Sequence, residues 1–284
     1  MNQSHPQTSI LIISSSSSIA QSLINELTQN PNNRLLLHVR PQSNFSHQES
    51  GNIVHLSQLD LLNPEYTLND TVCYNNAAYE AWFEYVMSEY NPQIMLIATG
   101  VIKEPSFSNL LYINAAIPAK CSEMFIKTYN ERNNASGAVP LIVFMNSVSA
   151  DYAPICIGKY YAQSKELMSH ILWSIYLQGK SDESTRCAVI NAKIGPVDTS
   201  LLNDGPLKYM PYIVKKVVNM LTVSTETAAK GLAHYIHLQT TRSYKTVYVP
   251  FWWRWINCFA WALFYVINGF LRLIDMVIMM GSWR

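Results

Sequence analysis

The sequence predicts an α/β fold: a doubly wound parallel sheet with helices on both faces, closed by a hydrophobic, Trp-rich C-terminal segment. Two observations carry the sheet. Short apolar runs alternate with segments of helical periodicity along most of the chain. The first run leads through a tight loop straight into an amphipathic helix. A third observation carries the tail: the last 35 residues are far richer in Trp, Phe and Ile than the rest.

The elements follow in order. Ser9–Ile13 is a buried strand, and Ile19, Leu23, Ile24 and Leu27 repeat at helical spacing after Ser14–Ser18. A run of five serines is often a flexible linker. One clamped between a buried strand and an amphipathic helix is better explained as a turn. Strands are expected at Leu35–Val39, Ile53–Leu56, Ile94–Ala98, Leu141–Met145, Arg186–Asn191 and Thr246–Val249. Helices are expected at Asp70–Tyr90, at Leu110–Tyr129, after Tyr160, and from a Ser224-Thr225-Glu226 cap to His237. In an open parallel sheet of this Rossmann type, ligands sit at the carboxyl ends of the strands. The loops there hold Ser14–Ser18, Arg40, Asp60, Gly100, Ser147 and Gly195.

Composition narrows the function. A chain of 284 residues, 49% hydrophobic, suits one large α/β domain, here 1–250, with 251–284 as a separate tail. A formal net charge of +1 gives no reason to expect nucleic acid as a partner. The five cysteines are scattered, without Cys-x-x-Cys, as expected of reduced thiols in the cytosol, and no Cys/His spacing suits a metal. The lack of Lys or Arg before Arg34 argues against a secretory signal.

The chemistry centres on Tyr160-Tyr161-Ala162-Gln163-Ser164-Lys165. Tyr161 and Lys165 lie one helical turn apart on one face. An ammonium near a phenol favours the phenolate, so Tyr161 is expected to exchange a proton nearer neutral pH, as ketone–alcohol redox chemistry requires. Standing alone, Tyr-x-x-x-Lys is common on ordinary exposed helices.

Four pieces in the right order make it specific: Asn114 in Tyr112-Ile113-Asn114-Ala115-Ala116, Ser147 after the fifth strand, Tyr161-x-x-Ser164-Lys165, and Ile194-Gly195-Pro196-Val197-Asp198-Thr199. With these the sequence resembles the short-chain dehydrogenase/reductase family over about residues 8–250. The resemblance implies Tyr161 as general acid/base, Lys165 on the nicotinamide ribose, Ser147 bonded to the substrate oxygen and Asn114 anchoring a proton-relay water. It implies a cofactor site at Ser14, Ser16, Ser17, Ser18, Ile19, Arg40, Asp60, Leu61, Thr99, Gly100, Gly195, Val197 and Thr199, besides Tyr161 and Lys165. NADP(H) is expected over NAD(H), because Arg40 after the second strand can pair with a 2′-phosphate; the alternative is an ordinary loop arginine. Asp60 resembles the residue that meets the adenine amino group, and is equally well explained as a turn aspartate.

Two departures stand out. The family's Gly-x-x-x-Gly-x-Gly reads Ser14, Ser18 and Ala20 here. A serine in left-handed geometry costs on the order of 1–2 kcal/mol, although the helix N-terminus still offers N–H groups to an anion. Ser147 also lies fourteen residues before Tyr161, one more than the pattern, so the loop at Ala153-Pro154 must adjust. Ser149 is the alternative hydroxyl. His38 and His55 are expected to be structural, and Lys193 either lines the substrate cleft or lies at the surface.

The segment Ser200–Val223, the substrate lid in the family, is unusually apolar, as suits a hydrophobic or lipid-linked substrate. Trp255–Leu271 is seventeen residues without a charge, between Arg254 and Arg272. This is the lower limit for a spanning helix. Trp252, Trp253, Trp255 and Trp261 suit a lipid interface, while Asn257, Asn268 and Gly269 interrupt the run. A transmembrane helix, a monotopic segment and a dimer or core helix all remain open. Val247–Arg254 further resembles a membrane-associated bacterial subgroup that includes the keto-reductase of decaprenylphosphoryl-ribose epimerisation. The expectation is an oxidoreductase anchored by its C-terminus at the cytoplasmic face of a membrane, with a homo-oligomer allowed. The alternative is a non-catalytic scaffold on the same fold, its cofactor loop degenerate.

Overall fold

The computed structural model describes residues 7–38, 50–56, 66–68, 71–73, 76–100, 107–133, 137–152, 159–199, 212–238, 243–256 and 258–259. They fall into two units, 1–250 and 251–284.

The first unit is built on a seven-stranded sheet. Its strands are β1 (Thr8–Ile13), β2 (Asn33–His38), β3 (Ile53–His55), β6 (Ile94–Ile97), β7 (Leu141–Ser147), β8 (Ala188–Ile194) and β9 (Tyr244–Val249). They lie in the order β3-β2-β1-β6-β7-β8-β9, and every pairing is parallel. The order reverses at β1, which places the switch point between β1 and β6, where such sheets bind ligands. A separate antiparallel hairpin joins β4 (Tyr66–Leu68) to β5 (Thr71–Cys73). Here the structure corrects the expected helix: α2 spans Asn76–Tyr90, and its predicted first residues form a strand instead.

Both faces of the sheet are covered, so its strands are mainly apolar. Alternate residues divide between two cores. Leu11, Ile13, Ile97 and Phe144 pack with α2, α4 (Ile117–Asn133) and α5 (Lys159–Ser181). Ile10, Ile12, Leu96 and Val143 pack with α1 (Ser18–Leu27) and α7 (Thr225–Leu238). On α7, Ala228, Ala229, Leu232, Ala233 and Ile236 form the buried stripe, and the Ser224 hydroxyl caps the start by accepting from the Thr227 N–H at 3.2 Å.

Between α3 (Phe107–Leu111) and α4 runs one π-helical turn, Tyr112–Ala116, so the predicted helix is longer than expected and carries an irregular register at Asn114. Of the apolar segment Ser200–Val223, residues 212–223 are described; they include α6, Tyr212–Leu221, on which Tyr212 and Met220 are exposed.

In the second unit the described part is a helical turn at 253–256 with flanking residues. Trp252 and Trp253 stack with ring centroids 5.4 Å apart. Phe251, in the turn before that helix, and Trp255 and Phe259 are 68%, 70% and 70% exposed. No helix among the described residues is long and apolar enough to cross a membrane. The expected span at 255–271 lies mostly outside them.

Candidate active site

The first loop behaves as the glycine pattern demands although it lacks glycine. Ser14 has φ +61°, the left-handed conformation that favours glycine. Its neighbour Ser15 donates its hydroxyl to the His38 carbonyl oxygen at 2.9 Å, which fixes the turn against β2. Ser17 is the N-cap of α1 and accepts from the Ala20 N–H at 3.2 Å. The Ser16 carbonyl accepts from Gln21 at 2.9 Å. Ser18 is exposed at the first turn, and Ile19 packs against the α1 core. Ala20, in the third glycine position, is fully buried in that core, small enough to keep helix and sheet in contact.

The chemistry lies at the ends of β6 and β7 and on α5. Lys165 is only 2% exposed, and its ammonium donates to the Thr99 carbonyl oxygen at 3.0 Å. It also lies 4.9 Å from the Phe144 ring centroid and 5.8 Å from that of Tyr161. Burial pushes its pKa down to about 7. Tyr161 differs from the expectation. Burial pushes the phenol up to about 12, and a hydrogen bond with the Ser147 side chain opposes this. The ammonium is committed to Thr99 rather than to the phenol oxygen, and burial disfavours charge on both groups, so Tyr161 is held as an acid.

Ser147 and Asn114 complete the set. Asn114 is fully buried and donates to the Ser164 hydroxyl at 3.0 Å; that hydroxyl in turn donates to the Tyr161 carbonyl oxygen at 2.7 Å. The structure thus joins Asn114, Ser147, Tyr161 and Lys165, which are up to 51 residues apart (165 − 114), through α5 and its neighbours. Gly195, Val197 and Thr199 follow β8. The Gly195 N–H donates to Val249 at 2.9 Å, Val197 is buried against Val223, and the Thr199 hydroxyl donates to Val197 at 3.4 Å. Arg40, Asp60 and Leu61, and the loop at Ala153-Pro154, lie outside the described residues.

Two features of the site suit a nicotinamide ribose. Among the described residues the buried Thr99 hydroxyl oxygen has no hydrogen-bond partner, and a Cβ added at Gly100 would lie 3.0 Å from the Lys165 ammonium. A hydroxyl and an ammonium set side by side are groups that a sugar diol can bond.

Sequence reasoning missed the polar cluster beneath these residues. Asn146 accepts from the Ser147 N–H at 2.9 Å and donates to Lys165 O at 3.1 Å, Ser169 Oγ at 2.8 Å and Asn191 Oδ1 at 2.9 Å. Asn191 donates to the Tyr244 hydroxyl at 3.1 Å. The available signal was an Asn in each of two otherwise apolar strands. Lys193 is neither of the expected alternatives alone: it forms a largely buried ion pair with Asp151, which also accepts from the Tyr248 hydroxyl at 3.1 Å.

No family profile and no curated protein sequence matches this chain. Solved structures do. A short-chain dehydrogenase from Burkholderia cenocepacia in complex with NADP is 11% identical, with a TM-score of 0.59 over 86% of this chain and 88% of that one. A short-chain dehydrogenase/reductase from Burkholderia multivorans with bound NADP is 16% identical, with a TM-score of 0.59 over 87% and 98%. The carbonyl reductase Sniffer of Drosophila melanogaster is 15% identical, with a TM-score of 0.53 over 78% and 97%. The membrane-associated subgroup gains no support from these neighbours. What they share with this chain is the fold of the short-chain dehydrogenases and reductases.

Proposed function

We propose that the chain is an NADP(H)-dependent oxidoreductase of the short-chain type that reduces a ketone on a hydrophobic or lipid-linked substrate. The observation that carries this is the joining of Asn114, Ser147, Tyr161 and Lys165 beside Thr99 and Gly100. When bound there, the nicotinamide would supply the hydride. Tyr161, kept protonated by burial, gives its proton to the carbonyl oxygen as negative charge develops on it. Ser147 donates a hydrogen bond to the same oxygen. The Lys165 ammonium, anchored on Thr99, keeps two protons free for ribose hydroxyls. The first turn of α1, behind its Ser17 cap, would present N–H groups to the pyrophosphate. Bound NADP in the two Burkholderia neighbours supports the phosphorylated cofactor.

The exposed aromatics Phe251, Trp255 and Phe259 and the apolar stretch beyond them support attachment to the cytoplasmic face of a membrane. Replacing the three aromatics together by Asp should release the full-length chain from anionic liposomes in a flotation assay; unchanged flotation would remove this part of the proposal.

The function is tested by nicotinamide fluorescence with detergent-solubilised protein. Binding of NADPH in clear preference to NADH is expected. If folded protein binds neither, the strained serine loop is a relic and the chain is a scaffold on this fold.

A further inference from the structure

Ser147 is held at two levels. Its backbone is fixed by Asn146, whose side chain accepts from the Ser147 N–H and donates to the Lys165 carbonyl oxygen. Its hydroxyl is a rotor, and the direction of its proton is settled only by what surrounds the oxygen. Immediately after β7 the chain enters a short 3₁₀ turn, Val148–Tyr152. That turn brings Ser149 back over Ser147. The Ser149 N–H donates to Ser147 Oγ at 3.2 Å and the Ser149 hydroxyl donates to the same atom at 2.9 Å. A hydroxyl oxygen has two acceptor sites. With both filled from Ser149, Ser147 has only its proton left to offer, and the helix packed against this turn is α5, which carries Tyr161.

We propose that Ser149 is a positioning residue, one that fixes the polarity of the Ser147 hydroxyl so that it donates towards the Tyr161 oxygen and the substrate oxygen. The chain of donation runs Ser149 to Ser147 to Tyr161. Ser149 itself touches neither substrate nor cofactor. It acts by removing the rotamers in which Ser147 would accept a proton instead of giving one. An oxyanion needs donors already aimed at it, because reorienting a hydroxyl during the reaction forfeits part of its stabilisation. The turn is itself tethered further along, since Asp151 on its last residues is paired with Lys193 and Tyr248 across β8 and β9. The catalytic meaning of this chain rests on the reductase proposal; the hydrogen-bond polarity does not.

The test needs no substrate. Carbon-13 is placed at the ring carbon bearing the hydroxyl of every tyrosine, and the Tyr161 signal is identified by its loss in Tyr161→Phe. At pH 8 the signal is followed in Ser147→Ala, Ser149→Ala, Ser149→Thr and the Ser147→Ala/Ser149→Ala double variant, each checked for native circular dichroism, with Ser149→Gly as substitute should Ser149→Ala not fold. Ser147→Ala is expected to displace the Tyr161 signal. Ser149→Ala should displace it in the same direction and by no more. Ser149→Thr should restore it, and the double variant should match Ser147→Ala alone. A Tyr161 signal unmoved by Ser149→Ala while Ser147→Ala moves it, or additive shifts in the double variant, would overturn the proposal. A signal that ignores both would remove the Ser147–Tyr161 bond and the proposal with it. NADPH binding measured on the same samples separates this outcome from failure of the reductase proposal.

Discussion

The ammonium of Lys165, on α5, reaches the carbonyl oxygen of Thr99, 66 residues earlier and just past the end of β6, at 3.0 Å. That bond holds a cation in a place where burial resists charge, and it has a consequence for stability. Between about pH 7 and the ordinary lysine value of 10.5, the unfolded chain carries a proton that the folded chain lacks. Stability from this group therefore rises as pH climbs through that window, and below it the penalty for burying the ammonium is present in full. Lys165→Met should be more stable than the parent at pH 6, by a few kcal/mol at most, and the difference should close towards pH 10. Urea unfolding at both values checks it. The same variant should lose NADPH binding.

Gly100 borders that ammonium. In Gly100→Ala the new Cβ would lie 3.0 Å from Lys165 Nζ. The flexible end of Lys165 can yield, so the fold should persist while the Thr99 bond is lost. NADPH affinity should fall by about tenfold, the equivalent of one charge-assisted hydrogen bond of about 1.5 kcal/mol, measured by fluorescence titration.

Tyr161→Phe should lower ketone reduction by about 10²- to 10⁴-fold, the usual contribution of a positioned acid. NADPH affinity should hardly change. Since burial keeps the phenol protonated up to about pH 12, reduction in the parent should show no loss from Tyr161 ionisation across pH 6–9. Steady-state rates over that range decide the point.

The three substituted glycine positions should respond differently. Ser14 sits at φ +61°, so Ser14→Gly should stabilise the chain by about 1 kcal/mol. Ala20 is helical and fully buried, so Ala20→Gly should cost about 1 kcal/mol. Ser18 is exposed at the helix start and should change little. Urea midpoints of the three single variants check this ordering.

Lys193→Met removes the ammonium paired with the largely buried Asp151 carboxylate, which still accepts from Tyr248. A loss of about 2–3 kcal/mol is expected, less than for a fully buried pair. Adding Asp151→Asn should recover part of it, as a double-mutant cycle in urea would show.

What the sequence made legible was local. The apolar runs located β1, β2, β6, β7 and β8 within a few residues, and the periodicity after Tyr160 located α5. Ser14 was legible because a tight strand–turn–helix junction needs a left-handed residue whatever its side chain. The β4–β5 hairpin escaped because two three-residue strands leave no period to detect. The state of Tyr161 and Lys165 escaped for another reason. Their spacing is written in the chain, but their burial and the capture of the ammonium by Thr99 are tertiary. So is the pairing of Lys193 with Asp151, separated by 42 residues.

The position of β1 also sets a timetable. The first strand made is an interior strand, flanked by β2 on one side and on the other by β6, at Ile94–Ile97. During synthesis one edge of β1 must wait for that later strand, and β6 in turn waits for β7. A nascent chain therefore carries an open, strongly apolar edge through much of its translation. Its folding is governed by long loop closures, which makes it slow. Until β6 arrives, that edge is the natural target for a chaperone and the natural starting point for aggregation.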